Sequence, residues 1–188
     1  MKDINSHIQL PNCVLKYFRD EGDREKKVWY LDIPSGQIRK KAAKKLGTAK
    51  GYFSQAGEMF WNQELENPLA ALNEKIRKFV TAGSGSLSLS AEDIAVAKRY
   101  IKAASVRSDL AQKTMDSSSL TADMFTEQQN HDALAYFGMN ISGEFDQIFA
   151  DMSVTVLINR TERSLVVPRN CYYAVPSLSR STIIAPIS

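Results

Sequence analysis

Two histidines, His7 and His131, and two cysteines, Cys13 and Cys171, are the only imidazoles and thiols in the chain. No CxxC or HxxxH spacing joins them, so the usual zinc sites are absent and no metal or cofactor is expected. GxSxG, HExxH and Walker sequences are absent as well, and the serine-rich tracts have no paired histidine. His7 is the one candidate for acid–base chemistry. As a general base it would need carboxylates to orient it or to share a metal, and without them its tautomer and geometry are uncontrolled. Its other reading is an ordinary histidine near a helix start. His131 follows the polar run TEQQN and is expected to be a half-exposed helix residue. The acidic pairs Glu64 with Glu66 and Glu92 with Asp93 suit helix starts and solvated faces. The two cysteines, far apart and without a secretory signal, are expected as reduced core residues.

Cationic chemistry is richer. Residues 1–50 carry 12 Lys and Arg against 6 Asp and Glu, a local charge of +6 in a chain whose total is +3. The densest part is Arg39, Lys40, Lys41, Lys44, Lys45 and Lys50, with no acidic residue between its ends. Such a cluster can neutralise phosphates or meet an acidic protein face, and it can equally be a solvated surface. Trp29, Tyr30 and Tyr52 are interleaved with it and add stacking surfaces. Arg107 stands apart, amid Ala104, Ser105 and Val106 on a helix expected to be buried. A buried guanidinium needs a carboxylate or carbonyl partner, so Arg107 is either a structural ion pair or an anion contact.

The elements that must hold these groups follow from spacing. Pro11 suits the first turn of a short helix that places Cys13, Val14, Tyr17 and Phe18 at helical intervals. KVWYLDI and QIRKKA, joined by PSG, form a β-hairpin. AAKKLGTAKG makes one or two helical turns ending at Gly47, and Tyr52 and Phe53 anchor the chain to the core. Gln55 to Glu66 is helical, and Asn67 then caps a new helix from Pro68 to Val80 with an apolar stripe at Leu69, Leu72, Ile76, Phe79 and Val80. The Gly- and Ser-rich stretch around 81–90 is a flexible seam. Ser90 caps a long helix reaching about Met115, and Thr121 caps another that carries Met124, Phe125, Leu134 and Phe137 and ends near Gly138. EFDQIFADM is a further short helix. From Ser153 onward, SVTVLIN, SLVVP, CYYAV and STIIAPI are short, mostly antiparallel strands. The sum is one α+β domain over 1–188: an amino-terminal helix and hairpin, a central layer of helices and a carboxy-terminal sheet.

This pattern resembles one bacterial family, the domain-of-unknown-function family numbered forty-two thirty-eight, whose members open with a motif close to HxVPxxYLxxF. In HIQLPNCVLKYF, Pro11, Leu15 and Phe18 fall on the motif's proline, leucine and phenylalanine, Val14 replaces the tyrosine, and His7 lies one residue further out, leaving Ile8 in its place. The hairpin, Tyr52, the helices NPLAALNEKIRKFV and SAEDIAVAKRYIKAASVRSD, and the arginine that closes the second, here Arg107, are similar to the family's. LVVPRNCY stands where relatives carry FITSDNPV, with Pro168 and Arg169 in place of Ser-Asp, and APIS stands for PLSP. The resemblance spans nearly the whole chain and transfers no activity. It implies a short, degenerate member, of the kind a phage or mobile element carries.

Two functions are therefore expected. The first is a non-enzymatic binding or inhibitor module, acting in phage–host conflict on a nucleic acid, a ribonucleoprotein or an acidic protein surface through the cluster from Arg39 to Lys50. The second is a nuclease-like hydrolase using His7 with unidentified carboxylates. No stretch is long and apolar enough to span a membrane and no signal core opens the chain, so a cytoplasmic location and no membrane partner are expected. An exposed carboxy-terminal edge strand makes a homodimer the expected assembly.

Overall fold

The computed structural model describes residues 5–7, 10–19, 22–83, 86–107 and 126–140, with isolated positions between 147 and 183. The fold is α+β, built from helices around small two-stranded sheets.

Strand β1 (Asn5–His7) leads to a short helix, α1 (Asn12–Leu15), continued by a 3-10 turn over Lys16–Phe18. Pro11 sits one position before α1 with extended backbone, so it caps the helix instead of filling its first turn. The hairpin pairs β2 (Lys27–Asp32) with β3 (Gln37–Ala42), antiparallel, with Asp32 opposite Gln37 and Lys27 opposite Ala42. A tight turn closes it: the Gly36 amide donates to the Ile33 carbonyl at 3.3 Å, and Gly36 takes the left-handed φ of 65° that this corner requires. Leu15, Val28 and Ala43 form a small core between α1 and the hairpin, covered by Leu10, Phe18 and Leu46.

After the hairpin the helical turns expected before Gly47 shrink to one 3-10 turn, Ala43–Lys45, and the chain extends again as β4 (Thr48–Lys50). β4 pairs antiparallel with β1, Ser6 facing Ala49. Its three residues have little strand signal of their own; the partner, 41 to 45 positions upstream, supplies it.

Helix α2 (Gln55–Trp61) starts at Ser54, whose hydroxyl accepts from the Gly57 amide at 3.1 Å. It does not end at Asn67. The chain passes through a π-helical turn, Asn62–Glu66, straight into α3 (Asn67–Ala82), and Asn67 is helical instead of capping. Pro68 explains the wide turn, since its ring would strike the carbonyl four residues back and it has no N–H to offer that carbonyl. The orphaned Glu64 carbonyl accepts from Arg99 Nη1 instead, at 3.2 Å. Leu69, Leu72 and Ile76 bury one face of α3, and Gly83, at φ 70°, closes the helix.

Helix α4 (Ala91–Val106) begins with a capping box in which Ser90 and Asp93 satisfy each other's amides, and Lys75 of α3 bonds the same Asp93 carboxylate. Within the seam at 81–90, the last turn of α3, Gly83 and the extended run into Ser90 are described. The stretch from 108 to Met115, and Thr121, Met124 and Phe125, lie outside the described residues. Helix α5 (Glu127–Asn140) opens on Thr126, whose hydroxyl accepts from the Gln129 amide at 3.2 Å. Phe53, Trp61, Leu65, Ala103 and Ala135 make the main core between α2, the π-helical turn, α4 and α5. EFDQIFADM and most of the expected carboxy-terminal strands, Cys171 included, lie outside the described residues. The one pairing described there, β5 (Ser153–Val154) with β6 (Thr182–Ile183), is parallel, and the other strands of the mostly antiparallel set expected lie outside the described residues. No described helix is long and apolar enough to cross a membrane.

Candidate functional site

The cationic cluster lies on one continuous, exposed segment. Arg39, Lys40 and Lys41 belong to β3, Lys44 and Lys45 to the 3-10 turn, and Lys50 to the end of β4, all of them exposed. Alternation across the paired strands sorts the hairpin into two faces. One face carries Val28, which is buried against Leu15, together with Tyr30, Arg39 and Lys41. The other carries Trp29 opposite Lys40 and Leu31 opposite Ile38. That second face is open: Trp29 is 60% exposed, Leu31 56% and Ile38 70%, and Ile33 in the turn reaches 83%.

Electrostatics vary along the ribbon. Lys40 Nζ lies 4.5 Å from the centre of the Trp29 ring and 4.0 Å from Asp23, and Lys27 pairs with Glu25 at 2.7 Å. Arg39 donates to the neutral Gln37 Oε1 at 2.6 and 3.1 Å, so its charge is held in place without being cancelled. Asp32, the one carboxylate near the turn, accepts from the Ser35 hydroxyl at 2.7 Å. Tyr52, grouped with the cluster by sequence, is elsewhere: its ring stacks on His131 at 3.8 Å and its hydroxyl is buried.

A second polar group lies inside. Arg107 is 3% exposed, with its guanidinium 4.4 Å from the Trp61 ring centre and 5.6 Å from that of Phe53. Glu66 Oε1 stands 4.0 Å from Arg107 Nη1. Burial pushes the Glu66 carboxyl above its ordinary range despite this neighbour, because desolvation outweighs attraction across so long a gap, and Glu58 adds repulsion. Burial also lowers Arg107, against the pull of Glu66 and Glu58. The Cys13 thiol is pushed up to about 12, first by burial and then by Glu66. Of the two roles read for Arg107, the ion pair has its carboxylate here, in Glu66.

His131 is buried, not half-exposed. Tyr52 covers its ring, and its Nδ1 donates to the Tyr52 carbonyl at 3.1 Å, which assigns that nitrogen a proton. Its neighbours on α5 hold the same loop. Gln128 donates to the carbonyls of Gly51 and Phe53 at 3.0 and 3.1 Å, and Asp132 accepts from the Ser54 amide at 3.1 Å. Imidazole, amide and carboxylate thus clamp the backbone of 51–54. The sequence carries this signal only weakly, because Gln, His and Asp read as a solvated face. The His7 backbone lies in β1 opposite Thr48, and the strand it pairs with, Thr48–Lys50, carries no carboxylate. Among the described residues, no group of three His, Cys, Asp or Glu is placed to hold a metal ion. No protein-family profile, no curated protein and no solved structure matches the chain.

Proposed function

We propose that this protein is a non-enzymatic binding module whose working surface is the hairpin β2–β3 and the basic run that follows it, and that its partner is an anionic macromolecular surface. The observation that supports this is the exposure of Arg39, Lys41, Lys44 and Lys45 on one continuous segment beside the open ring of Trp29. A module of this kind acts by occupying its partner, which is how an inhibitor encoded by a phage or mobile element works. Membership of the family numbered forty-two thirty-eight belongs to the same proposal and rests on HIQLPNCVLKYF, the hairpin and Arg107. The buried polar residues fit a structural role better than a catalytic one, since the proton-bearing nitrogen of His131 is spent on a backbone carbonyl.

The test is retention on immobilised heparin as a generic polyanion. The protein should elute at a clearly higher salt concentration than a variant with Arg39, Lys40, Lys41, Lys44 and Lys45 all replaced by Gln, because each cation contributes to counterion release. Equal elution of the two proteins removes the basic run from the working surface.

A further inference from the structure

Apolar and cationic groups are not mixed at random on the hairpin; they follow one another along its axis. Ile33 stands at the turn, Leu31 and Ile38 form the next cross-strand pair on the open face, Trp29 and Lys40 the next, and Lys27 the last. At about 3.3 Å per residue the sequence from Ile33 to Trp29 spans roughly 13 Å. Arg39 and Lys41 flank the same stretch from the other face, and Lys44 and Lys45 continue it beyond the base. An aliphatic tip, then an indole level with a collar of ammonium and guanidinium groups from Arg39 to Lys41, matches the way a bilayer presents hydrocarbon below an interface shared with charged headgroups. We infer that the hairpin is a peripheral membrane anchor: its tip enters the acyl boundary of an anionic lipid surface while Lys40, Arg39 and Lys41 hold the headgroups. This rests on the binding reading above and names its partner.

Other occupants fit less of the surface. A single-stranded nucleic acid would stack on Trp29 and pair with the cations, yet leave Leu31, Ile33 and Ile38 in water, where aliphatic side chains gain nothing from stacking. A second copy packed face to face across a two-fold axis would bring the same set of cations to both sides of the seam, with no acidic surface to meet them on that face. The acidic groups stand off the open face or at the base: Asp32, opposite Gln37, belongs to the face of Tyr30, Arg39 and Lys41, and Asp23 and Glu25 stand at the base, beside Lys40 and Lys27. No described helix is long and apolar enough to span a membrane, and docking at its surface needs no such helix.

The experiment is flotation with vesicles of phosphatidylcholine containing about a third phosphatidylglycerol, beside pure phosphatidylcholine vesicles and a mixed-sequence single-stranded oligonucleotide. Anionic vesicles should carry the protein, neutral ones should carry far less, and tryptophan emission should shift to the blue on binding. That shift reports Trp29, because Trp61 is buried at 1% exposure. Ile33→Glu should lower the partition at least about tenfold, since it replaces the most exposed aliphatic side chain of the tip with a second carboxylate beside Asp32. Ile33 is too exposed for the substitution to disturb folding, and an unchanged far-ultraviolet spectrum checks this. Failure to float with anionic vesicles while heparin still retains the protein overturns the lipid assignment alone. Oligonucleotide binding in place of vesicle binding gives the surface to nucleic acid and also overturns it. Loss of heparin, vesicle and oligonucleotide binding together overturns the binding reading as well.

Discussion

Cys13 lies in α1, where burial and the nearby Glu66 disfavour its thiolate. With the thiol pushed up to about 12, the reactive thiolate at pH 8 is roughly a thousandfold scarcer than for an ordinary cysteine. In a Cys171→Ser protein, alkylation by iodoacetamide at pH 8 should therefore be slow in the native state and fast in denaturant. Comparable rates in both states would place the thiol in an ordinary environment. The same neighbourhood explains why Arg107 was legible only as a pair of alternatives. Its burial follows from the apolar residues around it, whereas its partner, Glu66, is 41 positions away and enters through the helix that the π-helical turn carries past it. The burial of His131 is hidden from the sequence for a related reason: polar neighbours on α5 face the backbone of another segment, and a side chain that bonds a backbone carbonyl looks the same in sequence as one that bonds water.

Elements formed by local signals were readable, and those formed by distant partners were not. Turn residues around Gly36 set the hairpin, and Ser90 with Asp93 set the start of α4, because each signal lies within four residues of what it controls. β4 exists through pairing with β1, and on the unbroken path from α2 to α3 Arg99 donates to a carbonyl that Pro68 cannot serve. Sequence alternation in KVWYLDI correctly indicated a strand, but could not say which of its two apolar sets would be buried; Val28 goes inward and Trp29 with Leu31 stays out. The crossing of α2 and α5 is another contact no local pattern reports. A methyl group added at Gly57 would lie 2.1 Å from Asp132 Oδ1, the atom that accepts from the Ser54 amide. Gly57→Ala must displace that carboxylate, and a cost of about 1–3 kcal/mol follows from overpacking and the lost bond. Thermal unfolding should show a lower Tm for Gly57→Ala, with Gln55→Ala, at an exposed position of the same helix, as the control that leaves Tm nearly unchanged.

At the scale of the whole molecule, stability responds to pH through Glu66. Its carboxyl is raised in the folded state above the ordinary value of 4.5, so the folded protein holds that proton more tightly than the unfolded chain. The associated stabilisation is complete below 4.5 and is lost as pH rises through the raised folded value. Denaturant titrations of the wild-type and Glu66→Gln proteins should therefore show the wild type losing stability relative to the variant over that interval; parallel curves would mean that Glu66 titrates as an exposed carboxylate. The clamp of α5 on residues 51–54 has a different consequence, for the order in which the chain gains its structure. Its four hydrogen bonds join positions 75, 77, 78 and 79 apart in sequence. Closing a chain loop of that size costs roughly 4 kcal/mol of entropy, and the cost falls once, on whichever bond forms first. The other three then form within an already closed loop, so the contact is all-or-none: the helix is either docked on the loop by its whole row of side chains or not docked at all.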